Sequence, residues 1–217
     1  MPYPAGHKDR IRHKIVQSAR KLFNQRGFEK VSVNEIMAAA GLTRGGFYSY
    51  FTSKSDLYVE ALSCFFTDPS WRCTWKGVEI ELDATPVGPQ IVRAYLSRQH
   101  FENVADSCPM VALPGDVARG NKKTKQAFES VFSAMVRFIE QDVRKHGQDA
   151  APTAQAIAAL CIGGMVVARA MDNRRHADKL RDACKAVALR LGGWNEHVSR
   201  LHERGNTRPI TKSSGST

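Results

Sequence analysis

The chain has no paired cysteines, no metal-binding spacing and no long apolar span. Its five cysteines, Cys64, Cys73, Cys108, Cys161 and Cys184, are scattered with no C-x-x-C pair. An odd count without a framework points to reduced thiols in a cytoplasmic protein, and no zinc-site spacing is present. The first ten residues, Met-Pro-Tyr-Pro-Ala-Gly-His-Lys-Asp-Arg, lack the apolar core of a signal peptide. The longest nearly unbroken apolar run, 156–168, is shorter than the about 20 residues that a membrane-spanning helix needs. No convincing internal repeat occurs. Strand-like alternation is confined to Val78-Glu79-Ile80-Glu81-Leu82. These absences turn attention from membranes, metals and disulfide scaffolds to a helical protein without metal or cofactor.

What is present is charge and helical periodicity. A chain of 217 residues with 42% hydrophobic and 24% charged residues has the composition of a globular protein. Its net charge is +11 and its pI about 9.7, which favours an acidic partner such as nucleic acid. Residues 1–60 hold ten Lys or Arg against five Asp or Glu, a net of +5.

Within those 60 residues, local signals mark four helices. Ile11, Ile15, Ala19, Leu22 and Phe23 recur at helical spacing across a basic helix from His7 to Arg26, which Gly27 ends. Ser32 and Glu35 form an S-x-x-E capping box that opens a second helix, with Val33, Ile36, Met37 and Ala40 on its apolar face. Gly41 turns the chain and Leu42 plugs the corner. Thr43 is the expected N-cap of a third helix, Thr43 to Tyr50. Ser53 and Asp56 repeat the capping pattern and launch a fourth helix carrying Leu57, Ala61, Leu62 and Phe65.

The third helix is poorly composed for packing alone. Gly45 and Gly46 each cost about 1 kcal/mol relative to Ala in a helix interior, yet they let a backbone approach another surface closely. Thr43 and Arg44 occupy the end from which recognition helices meet base edges. There Arg can make a bidentate pair to guanine and a Thr methyl can touch thymine. The hydroxyls of Tyr48 and Tyr50 suit phosphate oxygens, and Lys54 adds a cation at the next helix start. Phe47 and Phe51 read as core anchors. With Ser32, these residues (Thr43, Arg44, Gly45, Gly46, Tyr48, Tyr50 and Lys54) form the candidate DNA-binding set.

The run Gly27-Phe28, Val31-Ser32-Val33-x-x-Ile36 and Ala39-Ala40-Gly41-Leu42-Thr43-Arg44-Gly45-Gly46-Phe47-Tyr48-Ser49-Tyr50-Phe51-x-Ser53-Lys54-x-Asp56-Leu57 resembles the TetR/AcrR family of transcriptional regulators. The resemblance covers about residues 10–62. It implies an all-α homodimer with an N-terminal helix-turn-helix, a helical ligand-binding and dimerisation domain, and repression relieved by a small-molecule inducer. It also implies that the protein is not an enzyme and that its DNA partner is a double-stranded, palindromic operator. The expected division is a DNA-binding domain over 7–53, a ligand-binding and dimerisation domain over 54–200 and a disordered tail over 203–217.

The rest of the chain reads as helices over Gln90–Ala105, Pro109–Arg119, Lys123–Lys145, Ala154–Met171 and Ala177–Arg190, after an irregular stretch from Asp68 to Gly88 that holds Trp71 and Trp75. Phe101, Cys108, Met110, Phe128, Phe132 and Met135 are the candidate ligand-binding residues, although a Met and aromatic stripe also describes plain core. Pro109 at a first helical position would put Cys108 at a helix N-terminus, where a thiol's pKa is lowered and redox or electrophile sensing becomes feasible. The alternative is a small buried hydrophobe. Cys161 and Cys184 read as core. The 154–171 helix is apolar almost all round, and Gly163-Gly164 invites close helix approach, here toward a second subunit. Two rival readings remain open: a cysteine-dependent helical enzyme with His100 as base, and a general nucleoid-binding protein suggested by charge.

Overall fold

The computed structural model describes residues 6–67, 80–81, 86–143 and 149–194, with the side chains of 65–67 excepted. Every regular element among them is helical. Phe65, Trp71, Trp75 and the expected 203–217 tail lie outside the described side chains, and so does most of the alternating stretch 78–82.

α1 (His7–Arg26) ends at Gly27, which has φ 79° and whose N–H donates to the Phe23 carbonyl at 2.8 Å. α2 (Val33–Ala39) opens on the expected capping box. The Ser32 Oγ accepts from the Glu35 N–H at 3.3 Å, and the Glu35 carboxylate accepts from the Ser32 N–H at 2.8 Å. Gly41 takes φ 68° and makes the turn. The third element, over Arg44–Ser49, is a 3₁₀ helix rather than an α-helix, and the Thr43 side chain makes no capping bond to it. Two glycines in six residues weaken the α-helical option, and short 3₁₀ pieces serve as connectors. α3 (Lys54–Thr67) starts on Ser53 and Asp56, where the Asp56 N–H donates to Ser53 Oγ at 3.1 Å.

The body follows with α4 (Gly88–Tyr95), α5 (Arg98–Glu102), α6 (Pro109–Ala112), α7 (Pro114–Arg119), α8 (Lys122–Val143), α9 (Ala150–Arg169) and α10 (Arg174–Leu191). Two helices expected as single pieces are divided. The 90–105 helix breaks at Ser97, whose hydroxyl accepts the His100 N–H at 3.1 Å and so starts a new helix in place of continuing the old one. The 109–119 helix breaks at Pro114, which has no N–H to continue the ladder. α9 begins four residues earlier than expected, because Pro152 falls in its first turn, where an N–H has no intrahelical partner. α10 also starts early, capped by the Asn173 side chain, which accepts from the His176 N–H at 3.2 Å.

Two cores organise these helices. One joins Ile15, Phe23, Ile36, Met37, Phe47, Leu57 and Leu62 of the head to Leu113, Val117 and Ala127 of the body. The other fills the space among α4, α6, α8, α9 and α10 with Leu96, Met110, Met135, Ile139, Ile157 and Met165. Phe128 packs against both. The expected boundary at 53/54 therefore cuts through the head core, since Leu57, Tyr58, Ala61 and Leu62 belong to it. α9 lies between α8 and α10 in the body. By length and composition α9 could cross a membrane, but Ala154, Ile157, Cys161, Met165 and Ala168 are buried in the body. Its outer side leaves Gly163 and Val167 exposed.

Candidate nucleic-acid interface

The turn and the 3₁₀ helix present their polar residues outward from a closed core. Phe47 is fully buried and Phe51 nearly so, their rings stacked with centroids 5.7 Å apart. Tyr48 sits edge-on to Phe47 at 5.3 Å and is 69% exposed, so the buried ring props the exposed one at the surface. Thr43, Arg44 and Gly45 are exposed beside it. A Cβ built on Gly45 meets nothing within 4 Å, and one on Gly46 meets only the Met37 Cε at an ordinary 3.7 Å. Neither glycine has positive φ. The protein's own packing therefore does not require glycine at either position.

Two residues of α1 that the sequence reading left in a general basic face support this surface. Arg12 donates to the Tyr50 carbonyl, pairs with Glu60 of α3 through Nε at 3.0 Å and lies 4.2 Å above the Phe51 ring. It ties the end of the 3₁₀ helix to α1 and α3. The Lys14 ammonium reaches the turn, 3.5 Å from where a Gly41 Cβ would stand. Their i, i+2 spacing on a basic helix gave no local sign of either contact.

Lys54, expected at a phosphate site, is also engaged within the protein. Its ammonium donates to the carbonyls of Phe28 at 2.9 Å and Val31 at 3.1 Å and lies 4.2 Å above the Phe28 ring. It clasps the α1–α2 connection, and one of its three N–H donors remains for an outside acceptor. Tyr50 is half-buried against the head core. Ser32 is exposed, but its hydroxyl is bonded to Glu35. The Ser32 hydroxyl and N–H, with Arg26 beside them, hold the Glu35 carboxyl down at about 2.

The head is fastened to the body at two places. In α1, the Asn24 amide donates to the carbonyls of Ala105 at 3.1 Å and Ser107 at 2.8 Å, while Arg20 and Lys21 meet Asp106 at 3.3 and 3.2 Å. In α7, the Asp116 carboxylate accepts the Phe28 N–H at 2.8 Å, and a Cβ on Gly27 would come within 2.9 Å of it.

The candidate ligand residues separate into core and surface. Cys108, Met110 and Met135 are fully buried in the body core, and Phe128 and Phe132 pack against it half-buried. Phe101 lines an open cleft against α1 and α9. Of the two readings of Cys108, its complete burial fits the small buried hydrophobe. Burial pushes its thiol up to about 11, more than the Tyr95 hydroxyl and the Met110 N–H pull it down. α6 is only four residues long, too short for its N-terminus to offset that burial. Burial likewise pushes the Cys161 thiol upward. His100 is buried beside Cys108, but its Nδ1 meets the Tyr95 carbonyl at 2.6 Å and its Nε2 the Ser107 hydroxyl at 2.9 Å. Burial holds the imidazole neutral, down at about 3. Both ring nitrogens are engaged and the thiol stays protonated, so the pair lacks the arrangement of a nucleophile and its base. Among the described residues no cluster of His, Cys, Asp or Glu could hold a metal ion.

The chain is similar to known proteins in sequence and in fold. Residues 15–61 match the family described as "Bacterial regulatory proteins, tetR family". The chain is 47% identical over 49 residues to the HTH-type transcriptional regulator AcrR of Shigella flexneri, covering 23% of each chain. It is 25% identical over 162 residues to the HTH-type transcriptional repressor AcnR of Corynebacterium glutamicum, covering 64% of this chain and 84% of that one. The chain spans about half or less of the length of the first curated relatives it matches. Its fold is similar to that of the reduced form of NemR from E. coli, with a TM-score of 0.66, 18% identity, and coverage of 82% of this chain and 95% of that one.

Proposed function

We propose that this chain, a member of the TetR/AcrR family of transcriptional regulators, is a dimeric repressor whose exposed 3₁₀ helix enters the major groove of a palindromic operator. The observation that carries the reading is the pair Gly45 and Gly46. Neither backbone conformation nor internal space calls for glycine there, so their use is explained by an outside surface that approaches the backbone. Thr43 and Arg44 meet base edges, and Tyr48 and Tyr50 reach phosphates. The remaining donor of Lys54 adds a phosphate contact close to Ser32, at the start of α2. Lys14, beside the Gly41 turn, joins them. A net charge of +11 strengthens attraction to DNA without selecting a sequence.

Family regulators bind DNA and act as dimers with small-molecule ligands. Here the second subunit docks on the outer side of α9 and on α10, where Gly163, Val167 and Leu191 are exposed. Two-fold symmetry then spaces the two reading heads one helical turn of DNA apart. An inducer acts by shifting the body contacts that hold α1, and so changes that spacing. The protein works in the cytoplasm, beside its DNA.

The test is binding to the DNA upstream of the protein's own gene, against random DNA of equal length, at several salt concentrations. Specific, salt-sensitive binding that Arg44→Ala weakens about tenfold or more is the expected result. Equal affinity for the two DNAs supports a general nucleoid-binding protein instead.

A further inference from the structure

Arg169, at the C-terminal end of α9, has no counter-charge among the described residues. Its Nε donates to the Phe101 carbonyl at 3.2 Å, its Nη1 to the Ser107 hydroxyl at 2.9 Å, and its Nη2 to the His100 carbonyl. All three acceptors are neutral. Desolvating a guanidinium is unfavourable, and such groups ordinarily meet a carboxylate or phosphate. Three of its five N–H donors are used, which leaves two.

Arg169 lines a cleft of about 690 Å³ between α1, α5 and α9. Phe101, Val104, Val111 and Ala112 make its walls apolar, and Asn24 and Arg174 add polar edges. Glu102 also lines it, but that carboxylate already meets Arg98 at 2.9 Å and Arg174 at 3.3 Å, so it does not neutralise Arg169. A concave, mostly apolar site with a few fixed polar groups is the usual form of a small-molecule site. We propose that this cleft binds a small carboxylate with an apolar body, the carboxylate seated on Arg169 and the body on Phe101, Val104 and Val111.

The site deepens the ligand-responsive reading and rests on it only for its consequence. A carboxylate on the two spare donors draws the guanidinium toward the cleft and so loads its bond to the Ser107 hydroxyl. The 104–107 loop that this bond steadies is the same loop whose Ala105 and Ser107 carbonyls hold Asn24, and whose Asp106 holds Arg20 and Lys21. Ligand seat and head fastening therefore share one loop.

The experiment is calorimetric titration of the full chain, without DNA, with octanoate and phenylacetate, each beside its uncharged amide. At least one acid is expected to bind at least tenfold more tightly than its amide. Val104→Glu sets an anion at the cleft edge from a 38%-exposed side chain outside the hydrogen-bond network, and should weaken the acid at least tenfold. Arg169→Met should do the same; if it fails to fold, Val104→Glu and the amides still decide. No binding by either acid, acid and amide binding alike, or Val104→Glu binding as the parent does, each overturns the site. A gel shift with upstream DNA runs in parallel. Acid that binds without releasing DNA leaves the site standing and removes its inducing role, whereas loss of specific DNA binding by the unliganded chain refutes the regulator reading and not the site.

Discussion

The 3₁₀ helix and α9 each carry a pair of glycines, and the pairs answer to different surroundings. At Gly45 a side chain would meet empty space; at Gly164 it would come within 2.8 Å of the Cys184 Sγ and 3.0 Å of its Cβ. The α9 pair is itself divided, since Gly164 faces α10 of the same chain while Gly163 has nothing within 4 Å. On the proposed reading, one region is shaped by what lies outside the molecule and the other largely by what lies inside it. The same change of residue should separate them, with function lost at one place and stability at the other.

The largest effect is expected where the outward surface meets bases. Arg44→Ala should weaken specific DNA binding by about 1.4–3 kcal/mol, roughly ten- to 150-fold, with the urea midpoint unchanged. A shifted midpoint would show that Arg44 also serves the fold and would blur the contrast. Next comes Gly164→Ala, which forces α9 from α10 and should destabilise by about 1–3 kcal/mol in urea unfolding, while DNA affinity of the folded protein holds. Unchanged stability would mean that Cys184 gives way and the inward pair is not pressed.

Acid should expose the same contrast. His100 is buried neutral, with its folded-state pKa depressed from 6.5 to about 3. Between those values the unfolded chain takes up a proton that the folded chain refuses, so stability falls as pH drops through that window. His100→Gln should flatten that part of the urea-midpoint profile; an unaltered profile would place the loss elsewhere. Gly45→Ala is expected to be smaller in stability and opposite in sign to its counterpart. It should raise stability by about 0.4–1 kcal/mol through the unfolded chain while weakening DNA binding in a gel shift. The smallest effect belongs to Glu35, half-buried in the head. Its depressed carboxyl contributes stability that is present above about 4.5 and is lost as pH falls through about 2. Glu35→Gln should remove only that low-pH slope, as followed by circular dichroism.

How much of this was legible in the sequence depended on the range of the interactions. The Ser32–Glu35 box, the Gly27 stop and the Gly41 turn are written within four residues, and all stand where expected. Arg44 and Tyr48 were legible as outward residues because the buried rings between and after them fix the face. The clasp that Lys54 makes was not, because the carbonyls that take its ammonium lie 23 and 26 residues away in sequence. Cys108 could be left only as two alternatives for the same reason. A helix start is a local sign, whereas the burial that raises the thiol comes from a core assembled across α4, α8 and α9. Arg169 gave no local sign at all, since its partners precede it by 62 to 69 residues. The two broken helices were readable in principle: Ser97 and Pro114 are ordinary starting signals that a single long apolar pattern overrode.

Phe128 has a further consequence. One ring completes the wall of both cores, and Leu113, Val117 and Ala127 of the body close the head from beneath. The reading head thus has no interior wholly its own. Heat should meet a single cooperative unit, with calorimetric and van 't Hoff enthalpies in agreement, and a fragment ending near residue 67 should leave that apolar underside bare.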